Sequence, residues 1–177
     1  MALRCSTSRS FRPTAARCAS SPQHAATGRQ PTAARLAALR GREREAGVDR
    51  LATYSDFSER VFETKRALLA FLIKAKRAGK SVAAYGAAAK GNTLLNYCGI
   101  RSDFLDYVVD RSPQKQGRFL PGTRLPVYAP QHVAETRPGY LLILPWNIRS
   151  EIMQQMAHIR GWGGRFVVAI PRLEVIA

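Results

Sequence analysis

From Ser81 onward, short apolar runs alternate with helix-forming stretches, and this alternation restricts the possible folds more than any other feature of the chain. "SVAAY" (81–85) reads as a strand, 91–97 as a short helix, and "FLDYVV" (104–109) as a second strand. "TRLPVY" (123–128) is a weaker third strand, after a loop rich in Gly, Pro and basic residues. Pro130 can open a short helix through Val133, and "YLLIL" (140–144) is an unbroken apolar run suited to a buried strand. Ile148, Ile152, Met156 and Ile159 then mark an amphipathic helix, with Asn147 as its cap and Gly161 as its stop. "RFVVAI" (165–170) closes the series before Pro171. Strands alternating with helices build βαβ units, whose right-handed crossovers cover both faces of a sheet. The expected fold is α/β: a Rossmann-like, open, mainly parallel sheet of about five strands with helices on both faces.

A longer helix precedes the series. Phe57, Val61, Leu68, Leu72 and Ala75 recur at helical spacing and make one apolar stripe. Ser55 can cap its start. Lys74, Lys76 and Arg77 crowd the last turn before Gly79, where the negative end of a helix favours cations. Residues 1–43 look different, rich in Arg, Ala, Ser, Thr and Pro with few aliphatic residues and no repeating period. Little surface can be buried there to offset chain entropy. We expect a disordered segment at 1–43 and one Rossmann-like domain at 44–177. An Arg- and Ser-rich, acid-poor start also resembles an organellar transit peptide. A misassigned start and a functional basic arm are further readings of the same composition.

The chain carries 28 Lys plus Arg against 12 Asp plus Glu, a formal net charge of +16. Such a balance favours nucleic acid, acidic membrane or phosphorylated small molecules. The excess is uneven: residues 1–50 hold ten Arg, no Lys and three acids, whereas 51–177 hold 18 basic and 9 acidic residues. Much of the polyanion signal therefore sits in the segment expected not to fold, and nucleic acid is not the partner expected of the folded part. Cys5, Cys18 and Cys98 make neither a disulfide framework nor a metal motif, and Cys98 stands in the small, apolar context of a buried filler. A reducing, cytoplasmic setting is expected. No run approaches the roughly 20 apolar residues of a membrane helix, so neither a membrane nor a metal is expected as a partner.

In open parallel sheets, ligands bind beyond the carboxyl ends of the strands, which nominates 86–92, 110–122, 128–131 and 145–149. Gly86 can leave its strand without a Cβ penalty, and Gly91 lets the next helix begin close to a ligand. Ala87, Ala88 and Ala89 keep the turn small. N–H groups at the helix start favour an anion, and Lys90 adds charge. The Gly86-to-Gly91 spacing equals that of a P-loop, but Asn92 stands where that motif needs Lys; Ala88 breaks the GxGxxG pattern. The turn is thus either a phosphate or polar-ligand contact or a plain tight turn. Asp110, 24 positions after Gly86, could hold ribose hydroxyls or cap its own loop. The following loop carries Arg111, Lys115, Gln116, Gly117 and Arg118, and could clamp a diphosphate or simply be solvated. Trp146 could stack on a base or line an interface, and Asn147 touch a ligand or cap its helix. His132 and His158 read as surface or packing residues. No paired carboxylate, nucleophile-elbow serine or metal cluster is visible, so no residue is assigned to catalysis.

Together, "VAAYGAAAKGNTLLNYCGI", "LDYVVDRSPQKQGRFLPGTRLPV" and "LLILPWNIRSEI" resemble the C-terminal domain of the sugar C-methyltransferase family. These are S-adenosylmethionine-dependent enzymes acting on nucleotide-linked keto-deoxysugars. The resemblance covers about residues 44–177 and leaves 1–43 unmatched. It implies a three-part enzyme with an N-terminal zinc-binding region, a central methyl-donor domain and this C-terminal domain, the substrate lying between the last two. The implied chemistry removes a proton beside a ketone, and the enolate attacks the sulfonium methyl group. The 177 residues show no cysteine quartet and no glycine-rich donor loop, so the zinc-binding and S-adenosylmethionine-binding parts are expected to be absent. What the resemblance carries over is substrate-side or interdomain contact by 86–92, Asp110, 115–118 and 146–147.

The expected function is that of a partial C-methyltransferase, contributing to binding of a nucleotide-linked keto-deoxysugar, inactive alone, and binding no cofactor itself. One alternative is a stand-alone nucleotide-sugar or phosphate-binding module partnering a separate methyltransferase. Another is a nucleic-acid-binding protein using the basic N-terminal arm, for which steep salt dependence would be the signature.

Overall fold

The computed structural model describes residues 3–11, 17–24 and 34–177, with side chains from residue 34 onward. They divide into two compact units, Met1–Arg60 and Val61–Ala177.

In the first unit, β1 (Leu3–Phe11) pairs antiparallel with β2 (Arg17–His24), with an irregular register between Cys5 and Ser8. Helices α1 (Ala34–Glu45) and α2 (Leu51–Ser55) follow, and Leu36 is the buried residue of α1. The hydroxyls of Thr53 and Tyr54 fasten the connecting turn, donating at 2.6 Å to the carbonyls of Gly47 and Val48. Composition leads to an expectation of disorder over 1–43. Within that stretch the structure holds the paired strands and most of α1, while 1–2, 12–16 and 25–33 lie outside the described residues.

Helix α3 (Phe57–Arg77) does not use Ser55 as its cap: Ser55 closes α2, and Asp56 separates the two helices. Leu68, Leu72 and Ala75 are buried, whereas Phe57 is exposed, so only the C-terminal half of the apolar stripe packs. The helix closes beyond Arg77 with Gly79 N–H donating to Lys76 O and Lys80 N–H to Ala75 O.

The second unit is a six-stranded sheet. Its strands are β3 (Val82–Tyr85), β4 (Val108–Val109), β5 (Val127–Tyr128), β6 (Tyr140–Ile143), β7 (Arg165–Val168) and β8 (Glu174–Ile176). Across the sheet they run β5-β4-β3-β6-β7-β8, all neighbours parallel except the β7–β8 pair. This is the Rossmann-like, mainly parallel architecture expected, with one strand more. The extra strand follows Pro171, where the chain reverses, and three residues are too few to show a period. Strands two and three are shorter than their apolar runs. Asp106 lies inside "FLDYVV", where its carboxylate accepts from Val82 N–H at 3.1 Å and from Lys76 Nζ at 2.8 Å. Pro126, lacking an N–H, precedes β5.

Alternation along each strand divides the core in two. Val82, Ala84, Val108, Leu142, Leu144 and Val167 face α3 and α4 (Ala89–Cys98), meeting Leu68, Leu72, Leu94, Leu95 and Cys98. Ala83, Tyr85, Val109, Leu141, Ile143, Phe166 and Val168 face the other way. They meet Val133 of α5 (His132–Thr136), Ile152 of α6 (Arg149–Gln155), and Met156 and Ile159 beyond it. Full burial of each large aliphatic or aromatic side chain stabilises by about 1.5–3 kcal/mol, so these layers dominate the fold. Cys98 is buried as expected, which pushes its thiol above the ordinary value.

The single helix expected over 148–159 is broken. A 3-10 turn (Trp146–Ile148) leads into α6, and a second 3-10 segment (Ala157–Trp162) follows. Pro145 and Ile148 occupy the cap positions, so Asn147 is not a helix cap. Gly163, not Gly161, ends the segment in the left-handed conformation.

Gly91 seats α4 on the end of β6, since a Cβ there would lie 2.6 Å from Leu144 Cβ. Helix propensity alone would make Gly91→Ala stabilising by about 1 kcal/mol. We expect it instead to destabilise by about 1–3 kcal/mol through overpacking, measured by urea unfolding. A midpoint at or above that of the parent chain would contradict this seating.

Candidate functional site

Strand order reverses between β3 and β6, because the chain leaves β3 toward β4 on one side and leaves β6 toward β7 on the other. That reversal is where open α/β sheets form their ligand crevice. The floor of the crevice is closed. Gly86 ends β3 with φ of 98°, and a Cβ there would lie 2.4 Å from Pro145 Cγ. Only glycine permits both the conformation and the contact. Anything bound must therefore sit on top of this contact.

Above it the two loops meet through side chains. Lys90 Nζ donates to Asn147 Oδ1 and lies 4.6 Å from the centre of the Trp146 ring. Trp146 is partly buried and packs against both core layers, which places it over the upper edge of the sheet. Helix α4 begins at Ala88 with no side-chain cap, leaving the first-turn N–H groups of Ala89, Lys90 and Gly91 without a side-chain acceptor. A cation, an aromatic face, an amide and an uncapped helix start converge here. Such a set can hold an anion beside a planar ring.

Asp110, which ends β4, is nearly buried and faces inward. Its carboxylate accepts from Ala87 N–H at 2.7 Å, Ser112 N–H at 2.8 Å and Lys115 Nζ at 3.2 Å. Gln116 Nε2 donates to its carbonyl at 2.9 Å. Of the two readings of this acid, the one in which it organises its own loop accounts for every one of these bonds, and it also locks the Gly86–Ala87 turn. Lys115 and Gln116 thus join the β3 and β4 loops. Gly117 and Arg118 do not converge with them: Gly117 N–H donates to Val127 O and Arg118 O accepts from Val127 N–H, one strand farther out. Asn92 turns along its own helix, where its side chain accepts from Asn96 Nδ2 at 3.2 Å.

A second polar group spans the α6 side of the same rim and escaped sequence reasoning. Tyr85 donates its hydroxyl to Gln155 Oε1 at 3.1 Å, Gln155 Nε2 donates to Glu151, and Glu151 pairs with Arg111 at 3.7 Å. Burial pushes the Tyr85 phenol above its ordinary value, so it remains a neutral donor. Its signal was available: Tyr85 is the strand's last residue, on the face that α6 covers. His132 pairs with Glu135 at 2.7 Å and stacks near Tyr107 and Tyr128, and His158 is exposed. Among the described residues no group of His, Cys, Asp or Glu could hold a metal ion. We expect Asp110→Ala to cost about 2–4 kcal/mol, for loss of its charge-assisted bonds, and Asp110→Asn less, by chemical denaturation. Equal stability of all three proteins would remove Asp110 as the latch.

Comparison with known proteins shows the family of the chain. Residues 18–171 match the family described as the C-methyltransferase C-terminal domain. The chain is 36% identical over 143 residues to the C-methyltransferase NovU of Streptomyces niveus, covering 80% of this chain and 34% of that relative. It therefore spans about a third of the length of that curated relative. The crystal structure of UDP-D-quinovosamine 4-dehydrogenase from Vibrio fischeri is similar at a TM-score of 0.41 and 17% identity, over 55% of this chain and 93% of that one. A likeness of that size carries no argument about function. The family match begins well before residue 44 and takes in both halves of the crevice, and on that evidence the chain belongs to the C-methyltransferase C-terminal domain family.

Proposed function

We propose that the C-terminal rim of the sheet is the substrate-side wall of a sugar C-methyltransferase, recognising a nucleotide-linked keto-deoxysugar. The observation that carries this reading is the meeting of Lys90 with Trp146 and Asn147 across the switch point, beside an uncapped helix start. Lys90 and the first turn of α4 face the diphosphate, Trp146 offers its ring to the base, and the Asn147 amide bonds polar groups of the ligand. The Lys115 loop, braced on Asp110, supplies further positive charge.

The same residues do not fit S-adenosylmethionine. Pro145 closes the crevice floor against Gly86, and the acid best placed for ribose hydroxyls is engaged by two backbone N–H groups and a lysine. Proton removal beside the ketone and attack on the sulfonium methyl are therefore assigned to parts of the family's architecture outside these residues. No step is assigned to a residue here. The chain's contribution is to hold and orient the sugar, which lowers the entropic cost of bringing it to a donor.

Calorimetric titration with a nucleoside-diphosphate-linked keto-deoxysugar tests the binding role. Lys90→Ala and Trp146→Ala should each weaken binding about tenfold, from loss of a charge-assisted bond and of stacking respectively. Unchanged affinity in both would overturn the assignment. Incubated with S-adenosylmethionine and the sugar, the 177-residue chain should form no methylated product; product formed by this chain alone would place catalysis within it.

A further inference from the structure

The opposite rim carries a feature that the C-terminal crevice leaves unexplained. At the N-terminal ends of β3, β6 and β7 lies a pocket of about 430 Å3, within the range of roughly 300–1,000 Å3 usual for small-molecule sites. Lys80, Ser81, Arg137, Tyr140, Trp162 and Arg165 line it, with three glycines among them. We propose that this pocket binds a small phosphorylated anion. The proposal does not rest on the reading of the C-terminal rim.

Charge is the first argument. Three cations from three separate elements converge on one concavity, and no lining residue is acidic. Among the described residues none of the three has an ion-pair partner. Cations are expected near helix C-termini, where they complement the dipole. That does not account for this set: α3 already holds Lys74, Lys76 and Arg77 in its last turn, and Arg165 opens a strand. Like charges gathered without a counterion repel, and a bound anion relieves that repulsion.

Backbone geometry is the second. Arg137 sits in the left-handed conformation, with φ of 48° and ψ of 57°, at the C-terminus of α5. A side chain with a Cβ is strained there and glycine would not be. A strained position occupied by a cation that lines a pocket points to a functional demand.

The walls are fixed as well. Gly139 N–H donates to Ser81 Oγ at 3.3 Å, which leaves the serine proton to donate to a ligand. Trp162 Nε1 donates to Pro138 O at 3.1 Å and holds its ring as one side of the pocket. The Lys80 stem lies over Gly139, where an added Cβ would stand 3.3 Å from Lys80 Cδ. Planar guanidinium groups and a rigid hydroxyl suit phosphate oxygens, which accept bidentate hydrogen bonds.

The test uses the full chain, inorganic pyrophosphate and orthophosphate, at about 0.15 M salt to screen diffuse attraction to the basic surface. Calorimetry should show saturable binding, and the Trp162 indole resonance should shift along the saturation curve whether or not that of Trp146 also moves. Arg165→Gln should weaken binding about tenfold, whereas Arg172→Gln, an exposed control outside the pocket, should not. Arg137→Gly separates function from folding: it should weaken binding by a similar factor yet raise Tm by about 2–4 °C through relief of backbone strain. Binding that does not saturate, that leaves the Trp162 indole in place, or that falls equally in Arg172→Gln would overturn the proposal. Tighter binding of pyrophosphate than of orthophosphate would identify the ligand class as a diphosphate; the reverse would identify a monophosphate.

Discussion

Parallel pairing of β3 with both β4 and β6 is the constraint on which the rest of the second unit hangs. Three parallel neighbours must release their chains at the same edge, so the loops after Tyr85, Val109 and Ile143 arrive together although they are far apart in sequence. Two contacts then convert nearness into a fixed shape. Pro145 rests on Gly86 where the strand order reverses, and the Asp110 carboxylate holds the Ala87 N–H. Together they set the floor on which Lys90, Trp146 and Asn147 meet.

How much of this could be read from the residues depended on the range of the interaction concerned. Strand identity followed from local apolar runs, since "YLLIL" and "RFVVAI" are buried on both faces and need no distant information to be recognised. The rim was readable too, because the rule for parallel sheets converts strand ends into one locus. What failed were local rules overridden by tertiary contacts. Asn147 has the chemistry of a helix cap, but Lys90 from another element takes its side-chain oxygen. Asp106 sits inside an apolar run and cuts the strand short, because it is needed by Val82 and Lys76. The role of Asp110 lay between two readings until its partners were known. All of them proved to be neighbours in its own and the adjacent loop. The Tyr85 network joins residues up to seventy positions apart, and its one local signal was the place of Tyr85 at the end of its strand.

The sheet gives its two edges opposite kinds of chemistry. At the carboxyl edge, a helix begins and a cation stacks on an aromatic ring. At the amino edge, helices end and three cations gather with no acid among them. One tryptophan stands at each, Trp146 above and Trp162 below, and the sequence contains no others. That arrangement lets a single titration distinguish the edges, and it separates diffuse attraction to a basic protein from recognition at either site.

Amide and indole NMR mapping during titration with a nucleoside-diphosphate-linked keto-deoxysugar addresses the account most directly. It predicts that signals from 86–92, 115–116 and 146–147 shift together along one saturation curve, with the Trp146 indole among the most affected. Shifts confined to other surfaces, or saturable binding that leaves Lys90 and Trp146 untouched, would contradict it.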